Sequence, residues 1–385
     1  MDTPTFRLHH WLAPLAWIYG AVTAVRNRLF DRGALRSESF GVPTICVGNL
    51  AVGGTGKTPH TEYLIRLLRT DYRTAVLSRG YKRRTSGYVL ATPQSRVEEI
   101  GDEPFQMLRK FDDITIAVDE DRRRGLRRLM KLDGDRRVEV VLLDDAFQHR
   151  RIKAGLNILL TDYHRLFRDD KILPVGRLRE SANGKERAQI IVVSKCPDTL
   201  KPIDFNIIAK RLDPCPYQRL YFSRVRYGEP RPVFPAETDA RETGTLEQAD
   251  VLLVTGIASP ADLLEKIRRE AKRVESLAFG DHHAFGRHDL ALVRQRFDTL
   301  PPGRRLIVTT EKDAARLATN PDLDPALRPF IYAIPIEVEI LRDQETTFNK
   351  QIIDYVRENK RDSNLPQGKD AYQSRDGHHT WHRTG

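Results

Sequence analysis

The 385-residue chain contains only three cysteines, Cys46, Cys196 and Cys215. They lie far apart and form no CxxC pair, so a disulfide framework is not expected and a reducing, cytoplasmic compartment is favoured. The N-terminal segment also lacks a small-residue cleavage site of the A-x-A kind. We therefore do not expect a signal peptide.

Motifs for nucleic-acid recognition are also missing, although the formal net charge is +11. Such a charge attracts phosphates, nucleic acid or an anionic membrane surface. The chain has neither a paired Cys/His finger nor the aromatic and basic motif of RNA-binding sheets. We therefore expect no nucleic-acid partner, and no obligate protein partner is predicted.

One uncharged apolar segment lies near the N-terminus, at residues 11–25. As a helix it would be about 22 Å long, short of the roughly 30 Å hydrocarbon core of a bilayer. Two alternatives stay open at this point. The helix is either buried in the core, or it lies in the membrane interface with its Trp and Tyr side chains at headgroup level and Arg26 and Arg28 facing anionic lipid.

Short apolar strands alternate with helical stretches from residue 43 onward. This alternation predicts an α/β fold with a P-loop NTPase-type doubly wound sheet, whose strands are covered on both faces. The predicted strands of this sheet are 43–48, 74–79, 113–118, 138–144, 157–162 and 189–195. A Pro-rich connection near 225–245 then predicts a boundary before a second, smaller α/β lobe joined by a β linker.

The second lobe is expected to begin with the apolar run 251–258. Its further predicted elements are helix 260–274, strand 306–311, strand 330–336 and a final helix at 347–358. The predicted domains are an N-terminal apolar membrane-associating helix with its lead-in (1–40), a P-loop kinase core lobe (41–225), a linker (226–245), a C-terminal α/β lobe (246–359) and a disordered tail (360–385).

A P-loop follows the first predicted strand and precedes an amphipathic helix. Its glycines let backbone N–H groups surround phosphate oxygens, while its lysine reaches the β- and γ-phosphates and its last threonine offers a hydroxyl to Mg²⁺. The predicted nucleotide-binding residues are Ala51, Val52, Gly53, Gly54, Thr55, Gly56, Lys57 and Thr58. Alanine replaces the usual first glycine, which we expect to matter little.

Two adjacent carboxylates, Asp144 and Asp145, end the predicted strand 138–144. Adjacent acids at a strand end repel each other unless a cation lies nearby, so Mg²⁺ is expected there together with Thr58. A guanine reader of the N-K-x-D type is missing, because the nearest segments, 194–198 and 310–313, do not fit that spacing. This favours ATP over GTP and argues against a GTPase-type switch.

Eight motifs in order resemble the tetraacyldisaccharide 4′-kinases of lipid A synthesis. They are VGNLAVGGTGKTP (47–59), LSRGYKRR (77–84), GDEP (101–104), DDAFQHRR (144–151), LPVGRLRE (173–180), GIASP (256–260), FGDHHAF (279–285) and TEKDAAR (310–316). The resemblance implies transfer of the ATP γ-phosphate to the 4′-hydroxyl of tetraacyldisaccharide 1-phosphate, giving lipid IVA. It also implies two lobes and a peripheral or monotopic location on the cytoplasmic face of the inner membrane.

The same resemblance implies two catalytic residues. Asp102 in GDEP matches the family's catalytic aspartate, and His282 matches its partner histidine, with His283 as the rival for that role. A carboxylate can orient a sugar hydroxyl and accept its proton, and a histidine bonded to it would fix its rotamer. Because His282 falls in the second lobe, the pair would form only when the lobes close.

Four further residues are candidates for substrate binding. Arg79 and Tyr81, which follow the second predicted strand, would line the sugar pocket. Arg122 either contacts phosphate or lies on a solvated helix face, and Glu180 would support Mg²⁺ or hydrogen-bond the substrate. A P-loop kinase for a soluble sugar or nucleoside is the main alternative, but it leaves residues 11–25 without a role.

Overall fold

The computed structural model describes residues 10–238, 245–257, 260–281 and 283–363. Its helices are α1 Ala13–Asp31, α2 Lys57–Leu68, α3 Val97–Ile100, α4 Asp102–Lys110, α5 Arg122–Leu129, α6 Pro202–Leu212, α7 Ala261–Glu270, α8 Arg287–Asp298, α9 Glu311–Ala318 and α10 Glu345–Ser363. Its strands are β1 Thr44–Asn49, β2 Thr74–Ser78, β3 Val89–Leu90, β4 Thr115–Val118, β5 Val140–Asp144, β6 Leu156–Asp162, β7 Ile190–Ser194, β8 Arg219–Tyr227, β9 Arg231–Pro232, β10 Asp250–Thr255, β11 Arg273–Ala278, β12 Arg305–Thr310, β13 Ile331–Ile334 and β14 Ile336–Ile340.

The first lobe is built on a sheet with the strand order β14-β8-β7-β6-β1-β5-β2-β4-β3. Its central strands run parallel and are buried on both faces, which is why they read as continuous apolar runs. Helices α5 and α6 pack on one face, and α2, α4 and α10 pack on the other. The predicted doubly wound α/β architecture is confirmed.

The second lobe has a smaller sheet with the order β11-β10-β12-β13-β9. Helix α7 packs on one face, and α8 and α9 pack on the other. The predicted helix 260–274 is too long, because α7 ends at Glu270 and the chain turns extended at Ala271. Strand β11 then begins at Arg273 and pairs with β10, a pairing that helical periodicity could not reveal.

Residues 336–359 do not belong to the second lobe, so that part of the predicted domain 246–359 is wrong. The predicted strand 330–336 is two strands that separate at Pro335: β13 joins the second sheet, whereas β14 pairs antiparallel with β8 in the first. Helix α10 follows β14 and buries Phe348, Ile352 and Val356 against the α2 side of the first sheet. Residues 360–363, predicted as tail, continue this helix, and 364–385 lie outside the described residues.

Helix α1 lies on the surface of the first lobe and presents a mostly exposed apolar face. Phe30 is its only buried residue, whereas Trp17 is 76% exposed and Trp11, just before the helix, is 77% exposed. The alternative of a buried core helix is therefore wrong. None of the helices in the described part of the chain combines the length and the apolar character needed to cross a bilayer.

Candidate active site

The P-loop connects β1 to α2 in a backbone shape that depends on glycine. Gly53 and Gly56 have φ values of 113° and 82°, a region that side chains with a Cβ rarely adopt. The loop is fixed from below, since the Asn49 side chain donates to the Thr55 hydroxyl at 2.8 Å and the Ser194 hydroxyl donates to the Thr55 carbonyl at 2.8 Å. Exposed loop glycines thus lie at the N-terminus of α2, an arrangement that is suited to bind phosphate.

Asp144 lies at the end of β5 and is fully buried. Its carboxylate accepts hydrogen bonds from the Ser78 hydroxyl at 3.2 Å and from the Thr61 hydroxyl at 3.4 Å. Burial and the neighbouring charge of Asp145 raise the pKa of Asp144. Such a carboxylate is stabilised in its ionised form when a cation approaches.

Asp145 is held in place by two cations. Lys57 Nζ lies 3.8 Å from its Oδ1, and Arg179 donates to both carboxylate oxygens at 3.0 and 3.2 Å. Burial alone would raise the pKa of Asp145, but the charges of Lys57 and Arg179 outweigh it and lower that pKa. Its backbone has a φ of 46°, a left-handed conformation that costs a non-glycine residue roughly 1–2 kcal/mol. Arg179 was not among the predicted site residues, although it lies in the LPVGRLRE motif.

The donor set fits Mg²⁺. In the described ranges, no group of three or more His, Cys, Asp or Glu side chains could hold a metal by itself. Mg²⁺ in phosphoryl-transfer sites is bound by one or two carboxylates together with substrate phosphates and water. A buried Asp144 beside Asp145 and the start of α2 provides that protein share.

Glu103 is a site residue that the sequence reasoning missed. It follows Asp102 in the first turn of α4, and burial together with the charge of Asp144 raises its pKa to about 7, against the opposing charge of Lys57. The carboxyl of Glu103 therefore lies within range of the charges of Lys57 and Asp144. The signal was present in GDEP, where two acids stand side by side.

We expect Glu103→Gln to stabilise the unliganded protein more at pH 8 than at pH 5. The pKa of Glu103 is about 7 in the folded protein and about 4.3 in an unfolded chain, so folding takes up a proton between these values. The protonated carboxyl therefore supports folding at low pH, and this support is lost as the pH rises through about 7. Glutamine does not ionise. Thermal unfolding should show the variant's advantage in Tm growing by roughly 2–4 °C between the two pH values.

The control for this prediction is Glu98→Gln, because Glu98 is exposed on α3. Its difference in Tm from wild type should be the same at both pH values. An equally flat difference for Glu103→Gln would contradict the prediction.

Asp102 begins α4 and contacts the second lobe. Its two carboxylate oxygens accept hydrogen bonds from Arg316 of α9, at 2.9 Å from Nε and 2.5 Å from Nη2. His282, the predicted partner of Asp102, lies outside the described residues. The rival His283 is engaged elsewhere, since its Nε2 lies 2.9 Å from Asp289 Oδ2 and its ring stacks on Phe279.

Among the four substrate candidates, Arg122 begins α5 and lies within range of the charges of Asp144 and Asp145. It is buried, so the solvated-face alternative is wrong for this residue. Burial lowers the pKa of its guanidinium, while the charges of Asp144 and Asp145 oppose that shift. In the described part of the chain its Nε has no hydrogen-bond partner. The positive charge of Arg79 also lowers the pKa of Arg122, and the Arg79 side chain is exposed.

Tyr81 is exposed on the loop after β2, where a substrate can reach it. Glu180 is buried, and its carboxylate is already engaged by protein groups. It accepts from Asn27 of α1 at 2.7 Å, from Arg187 at 2.7 Å and from Gln148 at 3.2 Å. In this arrangement Glu180 attaches α1 to the loop that follows β5.

A second contact attaches α1 close to the site. The Tyr19 hydroxyl donates to the backbone carbonyl of Arg179 at 2.9 Å, and the Arg179 side chain holds Asp145. A single residue, Arg179, therefore connects the helix that has the exposed apolar face to the carboxylate of Asp145.

The site has a phosphate-binding loop at the start of α2, carboxylates at the end of β5 and two further acids in the first turn of α4. A P-loop phosphotransferase needs these parts, and this is the class of protein that the fold and site define. Within that class, the family model for tetraacyldisaccharide-1-P 4′-kinase, LpxK, matches residues 8–357. The chain belongs to this family.

Similar proteins agree over nearly the full length. The chain is 58% identical over 381 residues to the tetraacyldisaccharide 4′-kinase of Bacteroides thetaiotaomicron, covering 97% of this chain and 100% of that one. It is 42% identical over 364 residues to the enzyme of the same name from Porphyromonas gingivalis strain W83, covering 94% and 100%. The "apo" form of LpxK from Aquifex aeolicus in complex with ATP is similar in fold, with a TM-score of 0.69, 28% identity and coverage of 90% and 99%.

Proposed function

We propose that this chain transfers the γ-phosphate of ATP to the 4′-hydroxyl of tetraacyldisaccharide 1-phosphate, forming lipid IVA in lipid A biosynthesis. The observation that carries the proposal is the P-loop with Lys57 beside Asp145 and the buried Asp144, whose charges act on Glu103 in the first turn of α4. Its occurrence in a chain of the 4′-kinase family sets the acceptor.

ATP would bind with its phosphates against the loop of residues 51–58 and Lys57. Thr58, Asp144 and Asp145 would hold Mg²⁺, which neutralises charge on the phosphate oxygens when it is bound. Arg179 keeps Asp145 ionised and oriented, and Ser78 and Thr61 orient Asp144. Arg122 is buried beside the same carboxylates and is suited to contact a phosphate.

Asp102 would orient the 4′-hydroxyl and accept its proton as the phosphoryl group is transferred, with His282 as its partner. Phosphoryl transfer depends mostly on positioning and on charge stabilisation, so a carboxylate held at the acceptor oxygen is the main contribution expected from an acid–base group. Arg79, Tyr81 and Glu180 stay candidates for the substrate pocket. Of these, the exposed Tyr81 and Arg79 are the better placed.

The test is transfer of labelled γ-phosphate from ATP to tetraacyldisaccharide 1-phosphate in mixed detergent micelles. We expect a product phosphorylated at the 4′ position, with ATP preferred over GTP. Formation of no lipid product by the wild-type protein would overturn the proposal. Equal phosphorylation of a soluble glucosamine would favour the soluble-sugar alternative.

The site would work at an anionic membrane surface, on the cytoplasmic face of the inner membrane. Support comes from the exposed apolar face of α1, whose large members are Leu15, Trp17, Ile18, Tyr19, Val22, Val25 and Leu29, with Trp11 exposed just before the helix. Contiguous exposed apolar surface marks a site of contact with a membrane or a partner, and tryptophans followed by arginines are typical of segments that lie in the interface. Because Tyr19 and Asn27 attach α1 beside Asp145 and Gln148, a lipid bound there would lie near the nucleotide site.

We expect the double substitution Trp17→Glu and Val22→Glu to weaken binding to anionic phospholipid vesicles by about tenfold or more, since each change removes apolar surface and adds a charge. Vesicle sedimentation measures the loss. The matched control is Ile203→Glu with Ile207→Glu, which adds the same two charges at exposed isoleucines of α6 and should sediment as wild type does. Unchanged sedimentation of the α1 variant would contradict the assignment of this face.

A further inference from the structure

The two lobes meet where α4 packs against α9. Ala315 of α9 lies against the small apolar cluster of Ile100, Phe105 and Val118 in the first lobe. Beside this packing, Arg316 makes the two-pronged contact with Asp102, and both side chains are largely buried. A guanidinium fork on a carboxylate is among the most direction-specific contacts in proteins.

The Arg316 side chain is fixed from its own lobe as well. Its Nη1 donates to Asp313 Oδ1 at 3.2 Å and to the backbone carbonyl of His283 at 3.2 Å. Asp313 is anchored in turn, because its Oδ2 accepts from the Gly256 N–H and from the Thr310 hydroxyl, each at 2.8 Å. The second lobe therefore sets the position of the guanidinium, and the guanidinium sets the orientation of Asp102.

We propose that Arg316 is a positioning residue for the transfer reaction, holding the Asp102 carboxylate in one rotamer and in its ionised form while the second lobe is docked. This inference rests on the proposed function, in which Asp102 accepts the proton of the acceptor hydroxyl. It assigns to α9 a part in the chemistry of the first lobe. It also makes the rotamer and the ionisation of the Asp102 carboxylate depend on the position of the second lobe.

A purely structural role is the competing explanation, and a neighbouring contact separates the two. Lys110 of α4 bonds Glu311 of α9 at 2.7 Å and also the buried Glu62 at 2.7 Å. Glu311→Gln weakens this second ion pair between the lobes but leaves Lys110 paired with Glu62. It lies on the same helix as Arg316 and does not contact Asp102 in the contacts described, so it is a matched control.

The experiment compares Arg316→Gln, Arg316→Lys and Glu311→Gln in the transfer assay across pH. A cation beside a carboxylate typically lowers its pKa by 1–3 units, so removing the charge should raise the pKa of Asp102. The ionised form of Asp102 is required. The acid limb of the pH profile of kcat, where kcat falls as the pH is lowered, should therefore move up by about 1 pH unit or more in Arg316→Gln. We expect kcat to fall about 10- to 100-fold with little change in the ATP KM, because the ATP phosphates bind in the first lobe.

Arg316→Lys keeps the charge and loses the fork, so its acid limb should stay near that of wild type while kcat falls. Glu311→Gln should keep both the limb and kcat within about threefold of wild type. An unshifted limb in Arg316→Gln would overturn the proposal. So would a shifted limb in Glu311→Gln, because loosening of the lobes would then be sufficient.

A thermal double-mutant cycle with Asp102→Asn and Arg316→Gln needs no transfer at all. We expect the Tm loss of the double variant to be smaller than the sum of the two single losses, since both remove the same contact. Additive losses would overturn the proposal even if transfer were normal. A clear coupling without any lipid product would instead count against the proposed function.

Discussion

Asp102→Asn is expected to lower kcat for lipid phosphorylation by about 10²- to 10⁴-fold, the range that a positioned acid–base group contributes. Asparagine has nearly the same shape and still offers an oxygen to Arg316, but it cannot take the proton of the 4′-hydroxyl. The P-loop and the carboxylates after β5 are untouched. ATP affinity should therefore stay close to that of wild type, as measured by titration calorimetry on the same preparations.

The same substitution at a surface site provides the control. Asp113 pairs with Arg69 and is half exposed, so Asp113→Asn should leave kcat within about twofold of wild type. Retention of more than a tenth of wild-type kcat by Asp102→Asn would remove Asp102 as proton acceptor. Loss of ATP binding in that variant would point to misfolding of α4 rather than to chemistry.

Lys57→Ala is the second large effect, and it should act on binding as well as on rate. We expect kcat/KM for ATP to fall by about 10³-fold or more, because the lysine stabilises charge on the transferred phosphate in a site shielded from water. Lys57 also lies 3.8 Å from Asp145, so its removal leaves Arg179 as the cation bonded to that carboxylate. Steady-state kinetics at several ATP concentrations would resolve the two contributions.

Ala51→Gly is the matched loop variant and should be nearly silent. Ala51 forms a single bridge to Leu178 and precedes the glycines that form the cradle. A larger effect at Ala51 than at Lys57 would show that the loop does not bind phosphates in the usual way.

The sequence was sufficient for the parts of the site that are local in the chain. The P-loop and the Asp144–Asp145 pair are short motifs flanked by a strand, and parallel strands bring their carboxyl ends to one edge. Arg179 and Arg316 could not be assigned in this way. Their partners, Asp145 and Asp102, lie far away in sequence, and a basic residue in a loop or on a helix carries no sign of which acid it will meet.

Two other outcomes depended on packing. Residues 11–25 were equally compatible with a buried and an exposed helix, because hydropathy reports composition and not neighbours. The path of residues 336–359 was hidden because an apolar strand and an amphipathic helix fit either lobe. Pro335 marked the place where the chain changes sheets, but it could equally have been a bend inside one strand.

The return of β14 to the first sheet has a consequence for how the second lobe is attached. Tyr227 of β8 lies opposite Ile336 of β14, and the Gly228 N–H donates to the Pro335 carbonyl at 2.9 Å, so the chain leaves and re-enters the first lobe at one point. Topologically, residues 228–335 are an insertion at the tip of a β-hairpin, a place where whole domains are tolerated. The two chain segments that join the lobes, at Gly228 and Pro335, lie side by side. They can bend together more readily than they can move apart. They would restrict any motion of the inserted lobe to swinging about one line, so that Arg316 would approach Asp102 from the same side each time.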